Sequence, residues 1–146
     1  MKKLLLMTLG AATLSSCAMM MGTPMSYQFG PQTTAPVGVT ASGTASVTKD
    51  AMNTMTTVKL TGLAANTYYV GHYHLQGTAD AAPCLSKGAP IMASKMVGQS
   101  DATGMLTLSG SVMTSAIADA TYINVHTASD AEGTPADDGV ACTAIK

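Results

Sequence analysis

Apolar and polar residues alternate along most of the chain after residue 36, with the period expected of half-buried β-strands. Glycine, asparagine, aspartate and proline cluster between the alternating runs and predict turns. The pattern predicts about eight short antiparallel strands, and hence an all-β Greek-key sandwich or barrel of immunoglobulin-like architecture. The main strand-like runs cover residues 37–48, 56–61, 67–75, 105–112, 121–127 and 140–145.

The run over residues 67–75 contains two of the three histidines of the chain, His72 and His74. Because side chains alternate across a strand, both project from the same face. That face also carries Val70, whereas Tyr69 and Tyr73 lie on the other. The pattern alone does not decide which of the two faces is buried in the core.

The third histidine, His126, lies in the strand-like run 121–127. All three histidines of the chain therefore occupy predicted strands, and His72 and His74 have the spacing of paired metal ligands. Neutral imidazole is the commonest metal-binding side chain in proteins. The sequence thus predicts that His72, His74 and His126 share one metal ion.

Composition limits the classes of partner that this chain can bind. Its 146 residues suit a single domain with a core of its own, and charged residues make up only 10% of them. There is no arginine, so all seven cationic side chains are lysines, and the net charge is -1. Without the bidentate guanidinium group, and with slightly negative charge, we expect no nucleic-acid binding.

The N-terminus has the features of an export signal. Lys2 and Lys3 precede an apolar run over residues 4–14, which is too short to span a membrane. Residues 14–17, Leu-Ser-Ser-Cys, resemble a bacterial lipobox, so we expect a lipoprotein signal peptide over residues 1–16 and a lipid on Cys17. A plain secretory signal is the alternative. The lipid would hold the protein to a membrane of the cell envelope, on its periplasmic or outer side.

Residues 17–36 show no periodicity, and we expect them to form a flexible tether between the lipid and a domain over residues 37–146. Four methionines lie in this segment, at positions 19, 20, 21 and 25. Their thioethers offer an alternative role as soft ligands for Cu(I).

Two cysteines remain if Cys17 carries a lipid: Cys84 and Cys142. An exported chain favours a disulfide between them, because its compartment is oxidising. Two free thiols, or thiolates at a metal site, are the alternatives.

An ordered set of motifs runs from about residue 41 to the C-terminus. In this order the motifs resemble the copper/zinc superoxide dismutase family, and some features are shared with CHRD domains. The motifs are Thr61-Gly62-Leu63, the His72-x-His74 strand followed by Gly77, then Cys84, Asn124-Val125-His126 and Val140-Ala141-Cys142.

The resemblance implies a superoxide dismutase that converts superoxide to oxygen and peroxide. It implies that His72, His74 and His126 are catalytic ligands of one copper ion, and that Cys84 and Cys142 form a disulfide. The family's metal-bridging histidine has no counterpart here, and no histidine is left for its zinc site. The chain therefore resembles a copper-only type, with no zinc expected. Met92 is the candidate for a fourth copper contact, and packing is its alternative role.

Two further positions differ from the family or extend the likeness. The family places an anion-attracting arginine three residues before its last cysteine, where this chain has Gly139. Lys87 and Lys95 are the nearby cations that remain for this task. Asp130, four residues after His126, lies where the family has an acidic residue that would orient a copper-ligating imidazole. A solvated loop carboxylate is the alternative.

Three functions follow from these observations. The first is dismutation of superoxide by an envelope lipoprotein. The second is binding or buffering of copper without catalysis, aided by the methionines of the tether. The third is a non-catalytic CHRD-type module of the envelope, docked onto a larger assembly.

Overall fold

The protein is described by a computed structural model of residues 22–146. The predicted signal peptide (1–16) and the predicted lipidation site Cys17 lie outside these residues. Within them the chain forms eight strands and three single-turn 3₁₀ helices, over Pro83–Leu85, Met92–Ser94 and Thr114–Ile117. The strands are β1 (Met25–Pro31), β2 (Ser42–Lys49), β3 (Asn53–Thr61), β4 (Tyr68–Leu75), β5 (Met96–Gln99), β6 (Leu106–Met113), β7 (Ala120–Thr127) and β8 (Ala141–Ala144).

All neighbouring strands are antiparallel, in the order β5-β4-β7-β8-β1-β2-β3-β6. The two end strands, β5 and β6, lie against each other, so the sheet nearly closes into a barrel. Glycines at this seam allow the close approach. A Cβ atom on Gly98 would lie 3.0 Å from Leu108, and one on Gly110 would lie 2.7 Å from Met96. The predicted all-β Greek-key architecture is confirmed.

Alternation along the strands fills the barrel interior. In β3, Val58 and Leu60 face inwards while Lys59 between them is exposed. Strand β4 differs, because both of its faces are buried. Tyr69 and Tyr73 belong to the barrel core, and the histidine face is covered from outside by loops. The core face that the sequence left undecided is therefore the tyrosine face.

The tether predicted over residues 17–36 is wrong for residues 25–31, which form β1. This strand pairs with β2 along Met25–Phe29 and with β8 at Gly30 and Pro31. Phe29 is buried in the core. Two aromatic residues two positions apart are a weak local signal for a strand, and the strand is stabilised by two partners distant in sequence. The run predicted from residue 37 becomes a strand only from Ser42.

A disulfide joins Cys84, in the 3₁₀ turn Pro83–Leu85, to Cys142 in β8. The predicted pairing is confirmed, and free thiols are excluded for these two residues. The bond ties the long connection between β4 and β5 to the centre of the sheet. Among residues 22–146, no helix has the length and apolar character needed to cross a membrane.

We expect replacement of both cysteines, Cys84→Ser with Cys142→Ser, to lower the free energy of unfolding by about 4 kcal/mol. The disulfide spans 58 residues, and the loss is the loop-closure entropy that such a crosslink removes from the unfolded chain. Urea denaturation of the variant and of the wild-type protein measures the difference. An unchanged midpoint, with an unchanged slope, would contradict this prediction.

Candidate metal centre

The three histidines come together on the outer face of the sheet, beneath the loops. In the register of β4 with β7, His72 lies opposite Asn124, and Val70 lies opposite His126. One ligand nitrogen from each histidine lies within 4.8 Å of the other two. All three side chains are buried. The structure therefore confirms that the histidines predicted to share a site do converge.

Backbone carbonyls fix the ring orientation of two of the histidines. His74 Nδ1 lies 2.9 Å from the carbonyl oxygen of Gly88, and His126 Nδ1 lies 2.9 Å from that of Asp137. A carbonyl only accepts hydrogen bonds, so in the neutral rings both Nδ1 atoms carry the proton. The lone pairs are left on the two Nε2 atoms, which face each other across 3.5 Å. This arrangement suits a cation held between them.

His72 is the unusual member of the group. Its side chain is 1% exposed, and neither ring nitrogen has a hydrogen-bond partner among the described residues. Buried polar groups in proteins nearly always have partners, and an unsatisfied one costs about 1–3 kcal/mol. A metal ion bound to one nitrogen would remove part of this cost. The site thus fits a metal ion in both its geometry and its unmet bonding.

Burial keeps the imidazoles in the form that binds metals. Burial, with smaller effects of His126 and His74, lowers the pKa of His72 to about 4. Burial also lowers the pKa of His74, although its hydrogen bond to Gly88 opposes the shift. Both rings are therefore neutral near pH 7, and no proton has to be displaced from them when a metal binds.

Tyr122 and Gly88 hold His74 in place. The Tyr122 ring stacks on the His74 ring with centroids 4.7 Å apart. The Gly88 N–H donates to the Tyr122 hydroxyl (2.9 Å), and this hydroxyl donates to the Gly88 carbonyl (3.2 Å). A Cβ atom at Gly88 would lie 1.7 Å from the carbonyl oxygen of Leu75, so no larger residue fits.

The orienting role predicted for Asp130 is wrong. Its carboxylate accepts a hydrogen bond from the Thr134 backbone N–H (2.9 Å) and makes none with His126. The backbone carbonyl of Asp137 bonds His126 instead, and the Asp137 carboxylate accepts from the N–H groups of Thr127 and Gly139. The fold of the β7–β8 loop, and not the distance from His126 in sequence, decides which residue reaches the ring.

A pocket of about 240 Å³ opens above His74 and His126. Lys87 is the cation that lines it, and the predicted alternative, Lys95, donates instead to the backbone carbonyl of Glu132. Met92 does not line this pocket and is 62% exposed, so its predicted role as a fourth ligand finds no support. The remaining lining residues are Gly88, Tyr122, Asn124, Asp137 and Asp138.

Gly139, which stands where an arginine was expected from the resemblance, is packed against Asn124. A Cβ atom at Gly139 would lie 2.5 Å from Asn124 Nδ2, and its φ of 130° disfavours other residues. Asn124 Nδ2 donates to the carbonyl of Asp138 (3.0 Å) and lies 3.4 Å from His126 Nε2. The amide of Asn124 thus occupies the edge of the metal centre.

Four residues of the site were given no role there by the sequence analysis: Gly88, Tyr122, Asn124 and Asp137. Asn124 and Tyr122 have the same strand parity as His126, which places them on its face and was a usable signal. Gly88 and Asp137 act through backbone carbonyls in loops, for which the sequence carries no signal.

No model of a known protein family matches this chain, and no curated protein matches it.

We expect the metal-free protein to lose stability as the pH falls from 6.5 towards 4. In this window the His72 imidazole is protonated in the unfolded chain but not in the folded protein, so unfolding takes up a proton. The free energy of unfolding therefore decreases as the pH is lowered, by up to about 3 kcal/mol across the window. Urea denaturation at several pH values, with a chelator present, measures the slope.

The His72→Ala variant is the control for this slope. Its pH dependence between 6.5 and 5 should be shallower than that of the wild-type protein. Equal slopes in the two proteins would show that burial does not hold His72 neutral.

Proposed function

We propose that this protein binds one copper ion through His72, His74 and His126 and dismutates superoxide. The observation that carries the proposal is the buried His72 ring, whose nitrogens have no partner among the described residues, beside two imidazoles with inward lone pairs.

The donor set favours copper because it consists of three neutral nitrogens. Imidazole binds both Cu(I) and Cu(II), and among residues 22–146 no thiolate is available because Cys84 and Cys142 have paired. Three histidines also suit Zn²⁺, so metal competition forms part of the test below.

A copper ion held by His72, His74 and His126 would supply one-electron transfer, by which two superoxide ions and two protons would give oxygen and hydrogen peroxide. The protein supplies the path by which the anion reaches the ion and the groups that orient it. The pocket above His74 and His126 admits a small anion, and Lys87 is the cation that attracts it. Asp137 and Asp138 oppose this attraction, so we expect weak steering. Protons come from water in the open pocket.

Asn124 would orient the anion. One hydrogen of its Nδ2 is used by the Asp138 carbonyl, and the other points towards His126 Nε2. With the His126 lone pair bound to copper, this second hydrogen would have no acceptor among the described residues. It is then free to donate to a superoxide ion in the pocket. The arginine expected from the resemblance would take this role, but position 139 is a glycine with no room for a side chain.

The envelope location forms part of the proposal. A disulfide is typical of proteins outside the cytoplasm, which agrees with an export signal over residues 1–16. We propose that a lipid on Cys17 anchors the domain, and that docking onto a larger envelope assembly follows from this tethering.

Copper buffering without catalysis is the second candidate, because the electrostatics favour it. Residues 22–146 carry five lysines and eight acidic residues, a formal charge of -3. Two of these acids line the pocket. Such a surface repels superoxide and attracts copper cations.

We expect the purified protein to bind one equivalent of Cu(II) in preference to zinc, with a nitrogen-rich signal in electron paramagnetic resonance. His72→Ala should abolish the signal and any dismutation. Lys87→Ala should lower kcat/KM about threefold at low salt and by less at high salt, whereas Lys59→Ala, which removes an exposed lysine outside the pocket, should leave kcat/KM unchanged at both.

The possible results separate the candidates. Tight copper binding with dismutation no faster than in His72→Ala would remove the enzyme and leave the buffer. Failure to retain copper would overturn both, and preferential zinc retention would replace the metal.

A further inference from the structure

Methionine dominates the exposed apolar surface of this protein. Nine large hydrophobic side chains are exposed in the described part of the chain, and six of them are methionines. A surface selected only for apolar contact would use leucine, isoleucine and phenylalanine as readily. The bias therefore points to the thioether group rather than to hydrophobicity. The six are Met25, Met52, Met55, Met92, Met105 and Met113.

Three of these methionines occupy neighbouring backbone positions at one rim of the barrel, where β2 turns into β3 beside the end of β6. Met55 lies opposite Ser111 in the β3–β6 register, so Met113 is its diagonal neighbour on the same outer face. Diagonal neighbours of this kind are about 7 Å apart, within reach of two long side chains. The backbone of Met52 lies beside the end of β6, since its carbonyl accepts a hydrogen bond from the Thr114 N–H (2.9 Å).

The backbone that carries Met52 is held in place. The Asp50 carboxylate accepts hydrogen bonds from the N–H groups of Met52 (2.7 Å) and Asn53 (2.6 Å). Strand pairing fixes Met55 and Met113. The three side chains are 74%, 53% and 63% exposed, so core packing does not explain them. Their neighbours on the outer face of β3 and β6 are mainly threonine, serine and asparagine.

We propose that Met52, Met55 and Met113 form a second metal site, for soft monovalent cations of the Cu(I) and Ag(I) class. Neutral thioether sulfur prefers such ions over Cu(II), Zn²⁺ or Mg²⁺. The Asp50 carboxylate in the same turn adds negative charge near the cation. Strands β3 and β6 are not neighbours of β4 or β7 in the hydrogen-bonded order, so this site is separate from the histidine centre and does not depend on its function.

Ag(I) is the probe for this site because it has no accessible redox chemistry under these conditions. The full chain is labelled with ¹³C at the methionine methyl groups and carries His72→Ala and His126→Ala, which removes the imidazole centre. It also carries Cys17→Ser, Met19→Leu, Met20→Leu and Met21→Leu, which removes the other soft donors before the domain. Titration with Ag(I) should shift the methyl signals of Met52, Met55 and Met113 together, with one common Kd. Replacing all three by leucine should weaken binding at least tenfold.

A matched variant controls for the number of methionines. Met25, Met92 and Met105 are also exposed but lie on separate segments, and their replacement by leucine should leave the affinity unchanged. Equal loss in the two triple variants, separate Kd values for the three methyl signals, or no shift at those signals would each overturn the proposal. The methyl titration needs no variant at the rim, so it decides the question even if the leucine variant does not fold. Loss of copper at the histidines would leave this result unaffected.

Discussion

The structure depends on burying three imidazoles in one place, although not all of them have hydrogen-bond partners. His74 and His126 each donate from Nδ1 to a loop carbonyl, and their Nε2 atoms meet with lone pairs inward. His72 has no hydrogen bond to the described residues at either nitrogen. Such an arrangement is unfavourable by itself, since desolvation is not repaid by hydrogen bonds. A bound metal ion would compensate for this cost, and the same burial keeps His72 and His74 unprotonated and ready to bind.

Several other features of the fold keep these rings buried in spite of their unfavourable desolvation. The tyrosine face of β4 packs into the barrel core, which anchors the strand from within. From outside, the disulfide ties the loop of Cys84 to β8, and the same loop carries the Gly88 carbonyl that orients His74. Gly88 must be glycine for this loop to approach Leu75, so backbone geometry and ligand orientation are set by one residue.

The pocket above the rings limits the chemistry that a bound metal can perform. It is open to water, so protons are plentiful, but Lys87 is accompanied by Asp137 and Asp138. Long-range attraction of an anion is therefore weak, and the proposed orientation by the Asn124 amide would act only at short range. These two properties separate the centre from one optimised for fast capture of superoxide. They also explain why copper buffering remains a coherent alternative for the same ligands.

The sequence by itself determined the strand periodicity, the all-β class and the shared face of His72 and His74, and it predicted that His126 joins them and that Cys84 pairs with Cys142. These depend on parity within strands and on the few histidines and cysteines available, and both are local or countable properties. Only the tertiary structure decided that residues 25–31 form a strand, that Asp137 rather than Asp130 reaches His126, and that Gly88, Tyr122 and Asn124 complete the site. In each case the deciding contact is made between segments distant in sequence, or by a backbone carbonyl that every residue possesses, so the residue types carry no record of it.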